Sequence, residues 1–404
     1  MLSARNEKRW KIGLLLGALL FSLLLAELGT RAYFASFVGP KIYWYGTPWH
    51  RNKIAAMAQW SRKMNLVQVH ENEVRSDSDV VAYTKYFPGE KKVILGPDGE
   101  TRYPVRINSR GFRGQDFHQA KAPGETRVLT MGASSTFGYR NRDHQTYPVQ
   151  LQEILNARDG TAWEVINFAI PHANSANILA MFQAEGAPLA PDWVTVYAGA
   201  NDSVISRSQT GALAGAIRFL ARHFVVAALA QHRFPALPSS EGFLWSEELV
   251  NEREAMFIGN LAKLDAAVRA AGGRLVVVTQ QLKSHLVDTP ELKGITYAEE
   301  VDIVRAAVGA GTAGPGSAQH PVLSPFAAIA QIYDGARVML IHDRLVEGLA
   351  DWTAENGIPL ADARAALDDR RDLLLSWVHL HPDANRVVAE TIADVLLPGA
   401  EGAT

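Results

Sequence analysis

The segment Arg127-Val128-Leu129-Thr130-Met131-Gly132-Ala133-Ser134-Ser135-Thr136-Phe137-Gly138 reads as a short apolar strand that breaks into a turn of small residues carrying hydroxyls. An uninterrupted apolar run of this length suits a strand buried on both faces. Four similar runs follow it: Val165–Phe168, Val194–Ala198, Leu275–Thr279 and Ile358–Ala361. Stretches with helical periodicity lie between them, among them Tyr147–Ala157, Glu254–Ala271 and Ile341–Asn356. Apolar strands alternating with helices predict an α/β fold with a mostly parallel sheet covered on both faces. Ligands bind such sheets outside the carboxyl ends of the strands. Chemistry is therefore expected in the loops after Met131, Phe168 and Ala198.

The rest of the chain sets limits on function. Its 404 residues suffice for one large domain with additions, or for two domains. A composition of 48% hydrophobic and 20% charged residues excludes disorder throughout. A net charge of −2 gives no basic excess for nucleic acid. With no cysteine, disulfides, cysteine metal sites and cysteine nucleophiles are excluded.

At the N-terminus, Arg5, Lys8, Arg9 and Lys11 precede an uncharged run from Ile12 to Ala26, and Glu27 and Arg31 follow. An uncleaved membrane anchor, a cleaved signal peptide and a buried soluble helix all fit a run of this kind. Cleavage after Ala26 or Ala35 would place Leu24 or Tyr33 at −3, where a small residue is required, which favours the anchor. The basic flank then puts the remainder outside the cytoplasm, as a single-pass protein of the inner (cytoplasmic) membrane with a periplasmic domain. The expected organisation is a cytoplasmic tail (1–11), an anchor or signal peptide (12–34), a membrane-proximal irregular or short-stranded region (35–120) and a main domain (121–400). The region 35–120 holds an aromatic cluster of Tyr43, Trp44, Tyr45 and Trp49. The main domain carries an insertion at about 203–250 and a Gly/Ala/Ser/Pro-rich mobile loop at about 309–325. Within the insertion, Ala212–Ala230 is apolar but includes Arg218, Arg222 and His223. It reads as a packed helix or a surface-lying lid, and not as a span.

Three segments could carry chemistry. Ser134 sits where a strand turns into a helix, a geometry that exposes a side chain beside backbone N–H donors; the plain alternative is a helix-capping turn. Gly199-Ala200-Asn201-Asp202 ends the third strand, and an asparagine amide there can donate to an oxyanion or form an Asx turn. His379 lies in a loop before a helix expected to start at Pro382 and Asp383. Alone it would be a surface residue; beside a serine it would be a base.

In this order and spacing, the segments resemble the SGNH/GDSL hydrolases, over about residues 105–397. The likeness includes Ile107-Asn108-Ser109-Arg110-Gly111-Phe112-Arg113-Gly114, Tyr147-Pro148 and Val165-Ile166-Asn167, and is nearest the bacterial branch with an N-terminal anchor. The resemblance implies a flavodoxin-like three-layer α/β/α sandwich preceded by one transmembrane helix. It implies Ser134 as nucleophile, His379 as base, and Asn201, Gly199 and the N–H of His172 around the oxyanion. Neither cofactor nor metal is implied: His379 and His381 have no third ligand nearby in sequence. His381 reads as structural or substrate-side.

The chain departs from the family in three places. Ala133 replaces the block I aspartate, His172 stands at the block II glycine, and Ser376 occupies the position of the block V acid. That acid normally fixes the imidazole tautomer, and its loss costs about 10⁴ in rate in a serine protease. His379 is then oriented by Ser376 or a backbone carbonyl, or reached by a displaced carboxylate such as Asp372 or Asp383, or left in a weak or dead site. The expected activity is cleavage of an ester-bearing small molecule, glycan or lipid of the envelope. The alternatives are an O-acyltransferase of surface glycans and a catalytically impaired glycan-binding or assembly component.

Overall fold

A computed structural model describes residues 4–38, 68–76, 79–86, 89, 91–208, 220, 224–227, 247–310, 329–332 and 335–397. The aromatic cluster at 43–49, most of the insertion and the loop beyond 310 lie outside the described residues. The chain divides into two compact units: residues 1–69, 206–240 and 322–330 form one, and 70–205, 241–321 and 331–404 the other.

In the first unit, helix α1 (Ala4–Val38) contains a stretch, Arg9–Tyr33, of mean hydropathy 2.2. Its 25 residues rise roughly 37 Å, enough to cross a hydrocarbon core of about 30 Å. Its leucines are exposed on all sides, Leu15 at 72% and Leu20 at 67%, which suits a helix whose solvent is lipid or a signal sequence. Glu27 is its buried acid: its carboxylate accepts from the backbone N–H groups of Val225 and Val226, both at 2.9 Å, and pairs with Arg31 at 2.7 Å.

The second unit opens with short strands. These are β1 (Gln68–Ser76) paired with β2 (Asp79–Lys85), and β3 (Lys91–Leu95) antiparallel to β4 (Arg102–Arg106). There follow β5 (Glu125–Gly132), the one-turn helix α2 (Ser134–Phe137), α3 (Tyr147–Asp159), β6 (Ala162–Ala169), α4 (Ser175–Met181) and β7 (Trp193–Tyr197). After β8 (Ile205–Ser208), which like β10 (Ile329–Ile332) runs across a boundary between the units, come α5 (Glu247–Ala270), β9 (Arg274–Val278), α6 (Tyr297–Gly309), α7 (Gly335–Asn356), β11 (Leu360–Ala361), α8 (Ala363–Ala366) and α9 (Pro382–Leu396).

The five apolar runs form one parallel sheet in the order β11-β9-β7-β5-β6. Each strand differs from its sequence reading by a few residues at most; the last shrinks to two because Pro359 precedes it. Side chains alternate across the sheet as strand geometry requires. Leu129, Met131, Val196 and Val277 join one core, with Phe257 and Leu261 of α5 and Leu345 of α7. Val128, Tyr197, Val276 and Val278 join the other, with Leu151 of α3 and Val388 and Ile392 of α9. This is the three-layer α/β/α sandwich. Counted along the sheet, the strands run second, first, third, fourth, fifth. The order reverses beside β5, and the crevice at such a switch point is where ligands bind.

Candidate active site

Strand register brings three loops to one edge. Gly132 at the end of β5 pairs with Ala169 of β6 and with Tyr197 of β7, so the chain leaves all three strands at one level. Ile170 N–H donates to Gly132 O at 3.3 Å and ties two of the exits together. Gly132 must be glycine: a Cβ there would lie 2.6 Å from the Tyr197 carbonyl oxygen. Ser134 then opens α2, whose other residues are buried. This helix closes at Gly138 in the left-handed region (φ 85), where Gly138 and Tyr139 both donate to Ser134 O at 3.0 Å.

His379 reaches Ser134 from 245 residues away. Its Nε2 lies 2.9 Å from Ser134 Oγ. The loop around it is a small hairpin, with Leu374 bridged to Leu380 and Leu375 N–H donating to His379 O at 2.7 Å. Two side chains of the turn that begins at Ser134 hold this hairpin. Ser135 Oγ donates to Val378 O at 2.8 Å, and Asn141 Nδ2 donates to Leu380 O at 2.9 Å. The imidazole is thus gripped on either side, and the Tyr139 ring lies against it at 5.5 Å between centroids, tilted by 28°. Neither Ser135 nor Asn141 was singled out from the sequence; only their closeness to Ser134 could have flagged them.

The other ring nitrogen faces Ser376. His379 Nδ1 lies 2.9 Å from Ser376 Oγ, which also accepts from His379 N–H at 3.1 Å and, more weakly, from Val378 N–H at 3.4 Å. Of the residues named from the sequence for this position, Ser376 is the one in contact with the ring. Asp383 instead sits 3.4 Å from His381 Nδ1, and Asp372 makes no contact with His379 among the described residues. His381 caps α9, its Nδ1 accepting from Asp383 N–H at 3.3 Å, a structural role. Burial, the charge of Arg140 and the neighbouring His172 hold the His379 pKa down to about 4.

The other two loops meet beside this pair. Asn201 Nδ2 donates to Ala173 O at 2.8 Å, joining the loop after β7 to the loop after β6 and leaving a second amide hydrogen. Gly199 (φ 129) shapes the turn before Asn201, its carbonyl accepting from Ser203 N–H and Oγ. His172 has φ 65, the left-handed conformation for which the family uses glycine. Desolvation and Lys92 lower its pKa. Below this edge, Asp202 accepts from Ser175 N–H at 2.9 Å and from Ser175 Oγ at 2.5 Å, anchoring the first turn of α4. Burial raises the Asp202 pKa to about 6. Among the described residues, no cluster of histidine and carboxylate side chains could hold a metal ion.

A parallel α/β sandwich with a hydroxyl in contact with an imidazole at its switch point defines the class as a hydrolase fold of SGNH type. The chain belongs to the GDSL-like lipase/acylhydrolase family, whose model matches residues 130–387, and it is a hydrolase acting on ester bonds. A search of curated proteins returned no match. Solved structures similar to it include an aryl esterase from M. smegmatis and a carbohydrate acetylesterase from Sinorhizobium meliloti. Both are 13% identical with TM-score 0.39, covering 67% of this chain and 98% of theirs. An acetyl-xylooligosaccharide esterase from Geobacillus stearothermophilus is also 13% identical, with TM-score 0.38, covering 67% of this chain and 94% of its own.

Proposed function

We propose that this protein is a serine esterase that removes O-acyl groups from an envelope substrate, with Ser134 as nucleophile and His379 as base. The observation that carries the reading is the continuous contact from Ser134 Oγ through both His379 ring nitrogens to Ser376 Oγ. A serine hydroxyl needs such a base, itself oriented by a third group. His379 Nε2 takes the Ser134 proton as Oγ attacks the ester carbonyl carbon. The alkoxide leaving group takes that proton back from the imidazolium, and water then cleaves the acyl-serine by the same route. The second amide hydrogen of Asn201, with the N–H groups of Ser134, His172 and Gly199, holds the oxyanion, a contribution of about 3–4 kcal/mol per donor in comparable enzymes. The α1 helix tethers the domain to the outer face of the cytoplasmic membrane, in agreement with the basic residues that precede its apolar stretch.

The direct test is hydrolysis of 4-nitrophenyl acetate by the full chain in detergent. Ser134→Ala and His379→Ala are each expected to lower kcat by about 10³-fold or more. Rates unchanged in both variants would remove the assignment.

One observation favours a second reading. Ser376 brings no negative charge to stabilise the imidazolium, so a glycan-binding component with a nearly silent site is the rival. Binding of acetylated glycan without ester turnover, and with no gain from Ser376→Asp, would select it.

A further inference from the structure

Helix α1 carries an acid where an acid is costly. Glu27 lies inside the apolar stretch Arg9–Tyr33. Among the described side chains of that stretch it alone is buried, at 6% exposure, while the leucines before it face outward. At roughly 1.5 Å per residue, Glu27 stands about 27 Å along the axis from Arg9, and Leu20 about 16 Å. With Arg9 at the inner boundary of a hydrocarbon core of about 30 Å, Glu27 falls just inside the outer boundary and Leu20 near the middle. Lipid supplies no hydrogen-bond donor at that depth, so the carboxylate must find its partners in the protein.

Those partners come from α1 itself and from a segment 198 residues further along the chain. Arg31, one turn on, pairs with Glu27 Oε1 at 2.7 Å. Val225 N–H donates to Oε1 and Val226 N–H to Oε2, each at 2.9 Å. Residues 225–227 are helical, and the first N–H groups of a helical stretch find no carbonyl within it. The carboxylate and the two donors therefore satisfy each other. Phe224 N–H donates to Leu220 O at 2.8 Å, which fixes Leu220 beside this junction. Val225 is buried there, yet Leu220 and Phe224 remain 47% and 42% exposed. Side chains held against one level of a membrane helix meet the solvent of that level, so the lipid that covers the leucines of α1 covers Leu220 and Phe224 as well. The sequence around them, Ala212–Ala230, mixes apolar residues with Arg218, Arg222 and His223, a composition suited to the headgroup boundary and not to the hydrocarbon centre.

We propose that Leu220, Phe224, Val225 and Val226 form a second membrane contact, held by Glu27 against α1 at the outer boundary of the bilayer, with the Leu220 and Phe224 side chains in lipid. The proposal rests on the reading of α1 as a tether and goes beyond it, since a tether alone needs neither a buried acid nor a partner segment. Removal of α1 by a signal peptidase would strip two N–H groups of their acceptor, so the contact requires the helix to stay on the chain. The protein is then attached to the membrane at two points of its sequence.

The chain has no cysteine, so a single introduced thiol reports on one position. Leu220→Cys, Phe224→Cys and, as a control within the span, Leu20→Cys are each labelled with a nitrobenzoxadiazole dye, and the full chain is reconstituted into phosphatidylcholine vesicles. Phosphatidylcholine with a nitroxide on its acyl chain quenches dyes in lipid, and iodide quenches dyes in water. The dyes replacing Leu220 and Phe224 should be quenched several times more strongly by nitroxide lipid than by iodide, and most by a nitroxide near the headgroup. The dye replacing Leu20 should respond most to a nitroxide near the chain end. Glu27→Ala should expose the first two dyes to iodide and leave the third in lipid. Glu27→Gln, whose amide oxygen still accepts, should do so only in part. Iodide quenching of the Leu220 and Phe224 dyes with Glu27 intact overturns the proposal. So does protection from both quenchers, which would mean that a second copy of the chain covers this face, and so does lipid quenching that persists unchanged in Glu27→Ala. Iodide quenching of the Leu20 dye would instead overturn the reading of α1 as a tether.

Discussion

His379 is paired with a hydroxyl where its relatives pair the histidine with a carboxylate, and two consequences follow. The first concerns the tautomer. A carboxylate has no proton to give, so it enforces N–H at Nδ1 and a free lone pair at Nε2. Ser376 Oγ either accepts from Nδ1 or donates to it, and only the first arrangement leaves Nε2 ready to take the Ser134 proton. Ser376→Asp removes that ambiguity and supplies charge for the imidazolium. The variant is expected to gain about tenfold or more in kcat, while Ser376→Ala loses about tenfold; a fall in Ser376→Asp measured in the same esterase assay would contradict this. The second consequence concerns pH. With its pKa lowered to about 4, His379 is neutral and able to act as a base down to that pH. The acid limb of kcat/KM should therefore fall near pH 4, well below the ordinary histidine value, and should move upward in Ser376→Asp. An acid limb at pH 6 to 7 in the wild type would mean that the imidazole is not held in this desolvated, cation-flanked setting.

At the scale of elements, the turn that carries Ser134 depends on Arg113, a residue of the segment before β5. Its guanidinium donates to Phe137 O at 3.0 Å, Gly138 O at 2.7 Å and Asn141 O at 2.7 Å, and pairs with Asp143 at 2.9 Å. The side chain is 2% exposed. Replacement by methionine keeps bulk but takes the arginine donor from Phe137 O and Asn141 O, and leaves Gly138 O with only Asn141 N–H and the Asp143 carboxylate with only Arg106 N–H. It should destabilise the fold by about 3 kcal/mol or more, visible as a lower denaturant midpoint. Arg113→Lys should recover little, because an ammonium cannot reproduce the planar fork. A variant as stable as wild type would show that the turn holds itself. This also marks where the sequence was legible. The sheet could be read because its strands are continuous apolar runs, and α3 because Pro148 opens it and Gly160 closes it in the left-handed region. Ser134, Asn201 and His379 were legible as loop residues at strand ends or ahead of a helix. The bracing by Arg113, Ser135 and Asn141 was not, since hydrogen bonds to carbonyls 24 to 243 residues away leave no periodicity. The left-handed backbone of Arg140 could not be read, because it is not the glycine that signals it; that of His172 was legible only through its place at the block II glycine.

Over the whole molecule, buried histidines make stability depend on pH. His342 is fully buried, with Nδ1 2.8 Å from the Tyr297 hydroxyl oxygen, and desolvation lowers its pKa to about 3. An unfolded histidine titrates near 6.5, so as pH falls below that value the unfolded chain takes up a proton the folded chain refuses. Stability present above pH 6.5 is lost on acidification, by His342 alone on the order of 4 kcal/mol by pH 3. His379 acts in the same direction down to about pH 4. Asp202, raised to about 6, opposes them: its contribution is present in acid and is lost as pH rises through 6. The histidine shifts together are larger, so Tm should fall between pH 7 and 4.5, and His342→Gln should flatten the slope. A Tm independent of pH in this window would contradict the neutral, buried state of His342.

All of these expectations presuppose that an imidazole from the C-terminal hairpin activates a hydroxyl at the end of β5. Peptide mass spectrometry after treatment with a fluorophosphonate examines that directly. The adduct should appear on Ser134, vanish in Ser134→Ala and form far more slowly in His379→Ala. An adduct on another residue, or labelling of equal speed without the imidazole, would show that the two groups do not work together.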